Sequence, residues 1–231
     1  MNKVTTINDA ISTIKDGQTI MVGGFGVPGT PFMLIEALLQ QGTRHLTLIK
    51  NEANEPLLGV SKLIEAGRVE RLITSHLGLN TTVLAMMNDK KIAVEFNPQG
   101  ILVERIHCGG AGLIGFISDI GIDTVLSKNK QVITLNGQKG IVESALRADV
   151  AMIHAAVGDD LGNLVFEKSA RNFNPAMATA ADIVIAEVES IVNAGSLDPD
   201  AIHTPSAFVD HVVEIRELPD EYGILEHHVF A

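Results

Sequence analysis

Thr19-Ile20-Met21-Val22-Gly23-Gly24-Phe25-Gly26-Val27-Pro28-Gly29-Thr30-Pro31 is the stretch on which the fold turns. Its first four residues are β-branched or apolar, the pattern of a buried strand. Four glycines within the next seven residues exceed what a tight turn alone requires. From Pro31 to Gln41 the period changes: Leu34, Ile35, Leu38 and Leu39 fall on one helical face, with Glu36 and Gln40 opposite. Thr30 is placed to cap this helix, Pro31 suits its first turn, and Gly42 suits its end.

The same unit recurs outward from that stretch. Leu46-Thr47-Leu48-Ile49, Leu72-Ile73-Thr74 and Ile92-Ala93-Val94-Glu95-Phe96 read as strands, separated by helical stretches near Leu57 to Glu65 and Val83 to Asn88. Runs this apolar have no wet face, which predicts an α/β fold: an open, mostly parallel sheet flanked by helices on both sides. One antiparallel excursion is expected near 130–143, where Lys130 to Leu135 runs into Asn136-Gly137, a pair that tolerates the positive φ angles of a primed hairpin turn. Asp149 to Ala155 and Asp182 to Val188 read as two further buried strands around a helix capped by Asn174, with Pro175 at its first position. No linker or internal repeat interrupts the chain, so residues 1–231 are expected to form a single domain. Glu214 to Ala231 is a polar, weakly patterned tail suited to docking on a partner.

Composition removes several classes of function. With 231 residues and 46% apolar content the chain can bury a substantial core, so a disordered or fibrous protein is excluded. The formal net charge is −11 and no Lys/Arg cluster opposes it, which leaves no surface for nucleic acid or for an acidic membrane. Every apolar stretch is broken by charge or amide before the ~20 residues of a spanning helix. The first nine residues, Met1 to Asp9, lack the pattern of a signal or transit peptide. Cys108 is the single cysteine, and an unpaired thiol fits a reducing compartment. A cytoplasmic protein is expected.

Residues suited to chemistry cluster after the strands. In a parallel sheet those positions share the carboxyl edge, where ligands bind. They are the glycine loop after the first strand, Asn51-Glu52-Ala53-Asn54 after the second and Asn97-Pro98-Gln99-Gly100 after the fourth. Asn97 can cap a helix that Pro98 starts, which places a buried Gln99 amide on the first turn, beside free backbone N–H groups. Such an amide can donate to an oxyanion, or it can brace the turn.

Gly24-Phe25-Gly26-Val27-Pro28-Gly29 also matches the dinucleotide fingerprint, with Glu52 as a ribose ligand, so a nicotinamide-dependent oxidoreductase is the competing reading. Against it, Pro28 removes a donor from the phosphate cradle and the helix begins after the third glycine rather than around it. Cys108, next to His107 and before Gly109-Gly110-Ala111-Gly112, is read as a packed hydrophobe, because neighbouring residues point in different directions. His76 ends the third strand and is read as making a structural hydrogen bond. His227 and His228 lack metal-ligand spacing, and no metal site is expected.

Taken in order, Asp16 to Phe25 with Gly29 and Pro31, then Asn97-Pro98-Gln99-Gly100, Glu104-Arg105-Ile106 to Gly109-Gly110-Ala111-Gly112, Leu161-Gly162-Asn163 and Ser169 to Pro175 resemble the alpha subunit of the family I coenzyme A transferases. The resemblance spans about Asp16 to Val213 and is closest to those acting on acetate, butyrate and acetoacetate. It implies half of a heteromeric enzyme, αβ or α2β2, that moves coenzyme A from an acyl-CoA to a short-chain carboxylate. The nucleophilic glutamate would lie in a beta subunit, within a Ser-Glu-Asn-Gly motif that this chain lacks. Coenzyme A would enter as substrate, with no tightly bound cofactor.

Carried over by position, Gly24, Phe25, Gly26, Val27, Pro28, Gly29 and Thr30 match the loop that meets coenzyme A, and Gln99 matches the amide facing the thioester carbonyl. Asn51 matches a second amide, followed by Glu52 where relatives often carry another amide or Asp. His107-Cys108 stands where relatives often have Arg and a small residue.

Overall fold

A computed structural model describes residues 2–215. In chain order the elements are α1 (Ile7–Ile11), β1 (Thr19–Val22), α2 (Phe32–Gln41), β2 (Leu46–Ile49), α3 (Val60–Glu65), β3 (Val69–Thr74), α4 (Thr81–Asn88), β4 (Ala93–Phe96) and α5 (Gln99–Gly110). They continue as β5 (Gly115–Ser118), β6 (Val132–Leu135), β7 (Gln138–Ser144), β8 (Ala148–Asp159), β9 (Leu164–Val165), α6 (Asn174–Thr179), β10 (Ala181–Val192) and β11 (His211–Glu214).

The main sheet runs β11-β10-β8-β1-β2-β3-β4, every neighbouring pair parallel, with short β9 added antiparallel to β8. Its strands alternate sides as extended chain must. Ile20 and Val22 enter one core with Leu48, Leu72 and Met152, covered by Leu34, Ile35 and Leu38 of α2 and Leu63 of α3. Met21 enters the opposite core with Ile49, Ile73 and Ile153, covered by Leu102 and Ile106 of α5 and Met177 of α6. Burial on both faces explains why these strands read as unbroken apolar runs.

The expected hairpin is β6–β7, and it belongs to a separate three-stranded antiparallel sheet, β5-β7-β6, whose third strand was not anticipated. Its β6–β7 turn is Asn136-Gly137, with φ of 51° and 82°, as a primed turn requires. Gly42 ends α2 with φ 84°, its N–H reaching the Leu38 carbonyl.

Three caps differ from expectation, each because the polar side chain makes a longer-range bond. Thr30 does not cap α2; its hydroxyl donates to the Gly26 carbonyl and accepts from Lys50. Asn97 does not cap α5; its Oδ1 accepts from Arg105 Nη1 at 2.7 Å. Asn174 lies inside α6 rather than before it, and its amide is spent on the glycine loop. The tail begins later than expected, since Glu214 closes β11; residues 216–231, among them His227 and His228, lie outside the described residues. Among the described residues no helix is long and apolar enough to cross a membrane.

Candidate active site

The sheet reverses its direction of growth at β1, with β2 on one side and β8 on the other, and ligands of open α/β sheets bind outside the carboxyl ends of the strands at such a point. The glycine loop leaves β1 there. Its carbonyls are turned into the protein and fixed: Gly23 O accepts from Lys50 Nζ (3.1 Å), Gly26 O from Asn54 Nδ2 (2.8 Å), Pro28 O from Asn172 Nδ2 (2.9 Å) and Gly29 O from Asn174 Nδ2 (3.1 Å). Gly29 has φ 73°, and a Cβ there would run into the Ala170 carbonyl, so neither the conformation nor the space admits a side chain. Phe25 is exposed at the loop's tip.

From β2 the chain delivers a buried polar run. Lys50 is 0% exposed, and its ammonium uses three donors on Gly23 O, Thr30 Oγ1 and Glu52 Oε1, each at 3.1 Å. Burial lowers the Lys50 pKa, with Glu52 working in the opposite direction. Glu52 Oε2 accepts from Asn51 Nδ2 at 2.7 Å, and Asn51 Oδ1 accepts from Gln99 Nε2 at 2.8 Å. Ser75 Oγ, after β3, lies 2.9 Å from the same Asn51 oxygen.

Gln99 and Asn51, 48 positions apart in sequence, are therefore joined at the edge from which the glycine loop emerges. The first helical turn is the right place for Gln99, but the side chain is exposed in this chain rather than buried, because α5 starts at the open rim of the sheet. Asn51 is fully buried. His76 makes a 3.1 Å contact with Ser75 Oγ through Nδ1. Cys108 is buried while His107 is exposed and lies 3.4 Å from Glu104, so the two do not form a thiol–base pair.

Sequence reasoning missed the charged groups beneath the loop. Lys50 is one, and a second set lies on β8 and β10. His154 Nδ1 is 2.9 Å from Glu187 Oε1 and Nε2 is 3.1 Å from Glu189 Oε1, while Glu187 Oε2 accepts from the N–H of Leu34 in the first turn of α2. A charged residue inside each apolar strand, Met152-Ile153-His154-Ala155 and Ala186-Glu187-Val188, was the available signal. Among the described residues no group of three or more His, Cys, Asp or Glu could hold a metal ion.

The architecture and order of these residues agree with known proteins. A model of the coenzyme A transferase family matches residues 4–215. This chain belongs to the coenzyme A transferase family. It is 47% identical over 215 residues to the alpha subunit of acetate CoA-transferase from Escherichia coli K12, covering 93% of this chain and 98% of that one. It is 42% identical over 213 residues to the A subunit of succinyl-CoA:3-ketoacid coenzyme A transferase from Helicobacter pylori 26695, covering 92% of both.

Among solved structures, an acyl-CoA transferase from E. coli O157:H7 in a thioester complex with CoA shares the fold with a TM-score of 0.85 at 24% identity. That match covers 96% of this chain and 49% of the other, so the chain spans about half its length. Glutaconate coenzyme A-transferase from Acidaminococcus fermentans has a TM-score of 0.82 at 22% identity, covering 95% of this chain and 76% of that one.

The oxidoreductase reading is not supported. Helix α2 starts at Phe32, three residues beyond Gly29, and Glu52 is buried against Lys50 rather than offered to a ribose.

Proposed function

We propose that this coenzyme A transferase chain is the alpha subunit of a heteromeric enzyme that exchanges coenzyme A between short-chain acyl-CoA thioesters and free carboxylates of the acetate, butyrate and acetoacetate type. The observation that carries the reading is the 2.8 Å bond from Gln99 Nε2 to Asn51 Oδ1 at the rim of the glycine loop. The names of the two relatives, each a subunit of a CoA-transferase, support it.

In this reading a beta-subunit glutamate attacks the thioester carbonyl. The carbonyl oxygen becomes an oxyanion, and collapse expels the coenzyme A thiolate to leave an acyl-glutamyl anhydride. The thiolate then attacks the glutamyl carbonyl, releasing the first carboxylate and leaving a glutamyl thioester, and the acceptor acid runs the steps in reverse. Gln99 Nε2 has two hydrogens, one held by Asn51 and one left to meet the oxyanion. A donor fixed before reaction stabilises charge that exists only in the transition state more than it stabilises the neutral substrate. The loop from Gly24 to Thr30 receives coenzyme A, its carbonyls already held inward so that they do not oppose the phosphates.

The test is to assay acetyl-CoA with acetoacetate using the chain alone and the chain co-expressed with a polypeptide carrying Ser-Glu-Asn-Gly. Transfer is expected only from the pair. Robust transfer by the purified single chain would overturn the two-subunit reading.

A further inference from the structure

The buried pair Lys50–Glu52 has no role in the steps above, yet it sits directly behind the amide that does. We infer that Lys50 and Glu52 are positioning residues which fix the orientation of the Asn51 amide, and through it present the donor side of Gln99 to the reacting carbonyl. The inference rests on the reading of Gln99 as an oxyanion donor.

A count of protons sets the orientation of each group in turn. Lys50 is fully buried and spends its third donor on Glu52 Oε1, so both Glu52 oxygens serve as acceptors, Oε1 from the ammonium and Oε2 from Asn51 Nδ2 at 2.7 Å. Asn51 Oδ1 is then turned to the rim, where Ser75 Oγ (2.9 Å) and Gln99 (2.8 Å) meet it. An acceptor at that point requires Gln99 to present Nε2, not Oε1. Without the charge behind it, the Asn51 amide can turn over, and Gln99 then turns its carbonyl toward the position where negative charge develops. The same ammonium holds the Gly23 carbonyl and the Thr30 hydroxyl, so one pair fixes both the loop that takes coenzyme A and the amides that meet its thioester.

The experiment is a double-mutant cycle in the assembled two-subunit enzyme with acetyl-CoA and acetoacetate as substrates. Glu52→Gln keeps the shape and removes the acceptor-only constraint. Its kcat is expected to fall about tenfold or more, while KM for acetyl-CoA stays within about twofold, the scale on which a misplaced catalytic group lowers rate. In a Gln99→Ala background the same substitution should cost little further, because both act through one amide. The charge-neutral pair Lys50→Met with Glu52→Gln gives a second route should the single variant not fold, with the same kcat loss and the same non-additivity expected.

Gln99→Ala slow while Glu52→Gln, or the neutral pair, turns over at the wild-type rate would overturn this inference alone. So would losses that multiply in the combined variant. Gln99→Ala at the wild-type rate would overturn the oxyanion reading itself, and this inference with it.

Discussion

His154 and Glu187 face each other in register across β8 and β10, with Nδ1 and Oε1 2.9 Å apart and both side chains essentially sealed from solvent. Burial alone would push the imidazole pKa down, but the hydrogen bonds to Glu187 and Glu189 outweigh it and raise the value from 6.5 to about 9. A proton held more tightly in the folded than in the unfolded state stabilises the fold fully below pH 6.5, and that contribution is lost as pH rises through about 9.

Stability of the wild-type chain should therefore decline between pH 7 and 9.5, by roughly 3 kcal/mol at most. Denaturant midpoints across that range measure it. The neutral pair His154→Gln with Glu187→Gln should flatten this slope, and an unchanged slope in that variant would place the titrating group elsewhere.

Asn174 ties the glycine loop to β8. Its Nδ2 donates to the Gly29 and Ala170 carbonyls, and its Oδ1 accepts from the His154 N–H. Asn174→Ala leaves these buried backbone groups unpaired, so a loss of about 2–4 kcal/mol is expected in urea unfolding. In the assembled enzyme KM for acyl-CoA should rise more than kcat falls, because the loop loses an anchor while the Asn51–Gln99 pair is untouched. A variant with wild-type stability would show that Lys50, Asn54 and Asn172 hold the loop without it.

Cys108→Ala should cost no more than about 1 kcal/mol, from a small loss of packing at a site only 5% exposed. Turnover of the reconstituted enzyme should be within about twofold of wild type. A loss of several orders of magnitude with the fold intact would give the thiol a catalytic role.

What sequence disclosed was whatever local chemistry decides. The runs Thr19 to Val22 and Leu46 to Ile49 are strands residue for residue, and Gly42 and Asn136-Gly137 end or reverse the chain where their backbone freedom allows. The convergence of Asn51 and Gln99 was legible because strands in a parallel sheet share an edge, whatever their separation in sequence. Missing were α1, β5, β9, β11 and the charged pairs. Helix α1 has five residues, too short for a helical period to show, and β11 is polar at both ends, His211 and Glu214, which leaves only Val212-Val213 as an apolar run. Lys50 reads as an ordinary charge at the end of a strand until the glycine loop closes over it. The one local hint was its spacing from Glu52, since residues two apart in extended chain project to the same side. Thr30 and Asn174 each found a partner that only the assembled sheet brings near, whereas Asn97 is taken by Arg105, eight residues on in α5.

The most direct measurement is steady-state turnover of the assembled enzyme with Gln99→Ala. On the proposed mechanism the bond to Asn51 fixes the Gln99 amide as an oxyanion donor, so kcat should fall about 10²-fold or more with KM for acyl-CoA little changed, the cost of deleting one such donor. Wild-type turnover, or a rise confined to KM, would contradict the oxyanion role and leave Gln99 as a brace for the first turn of α5.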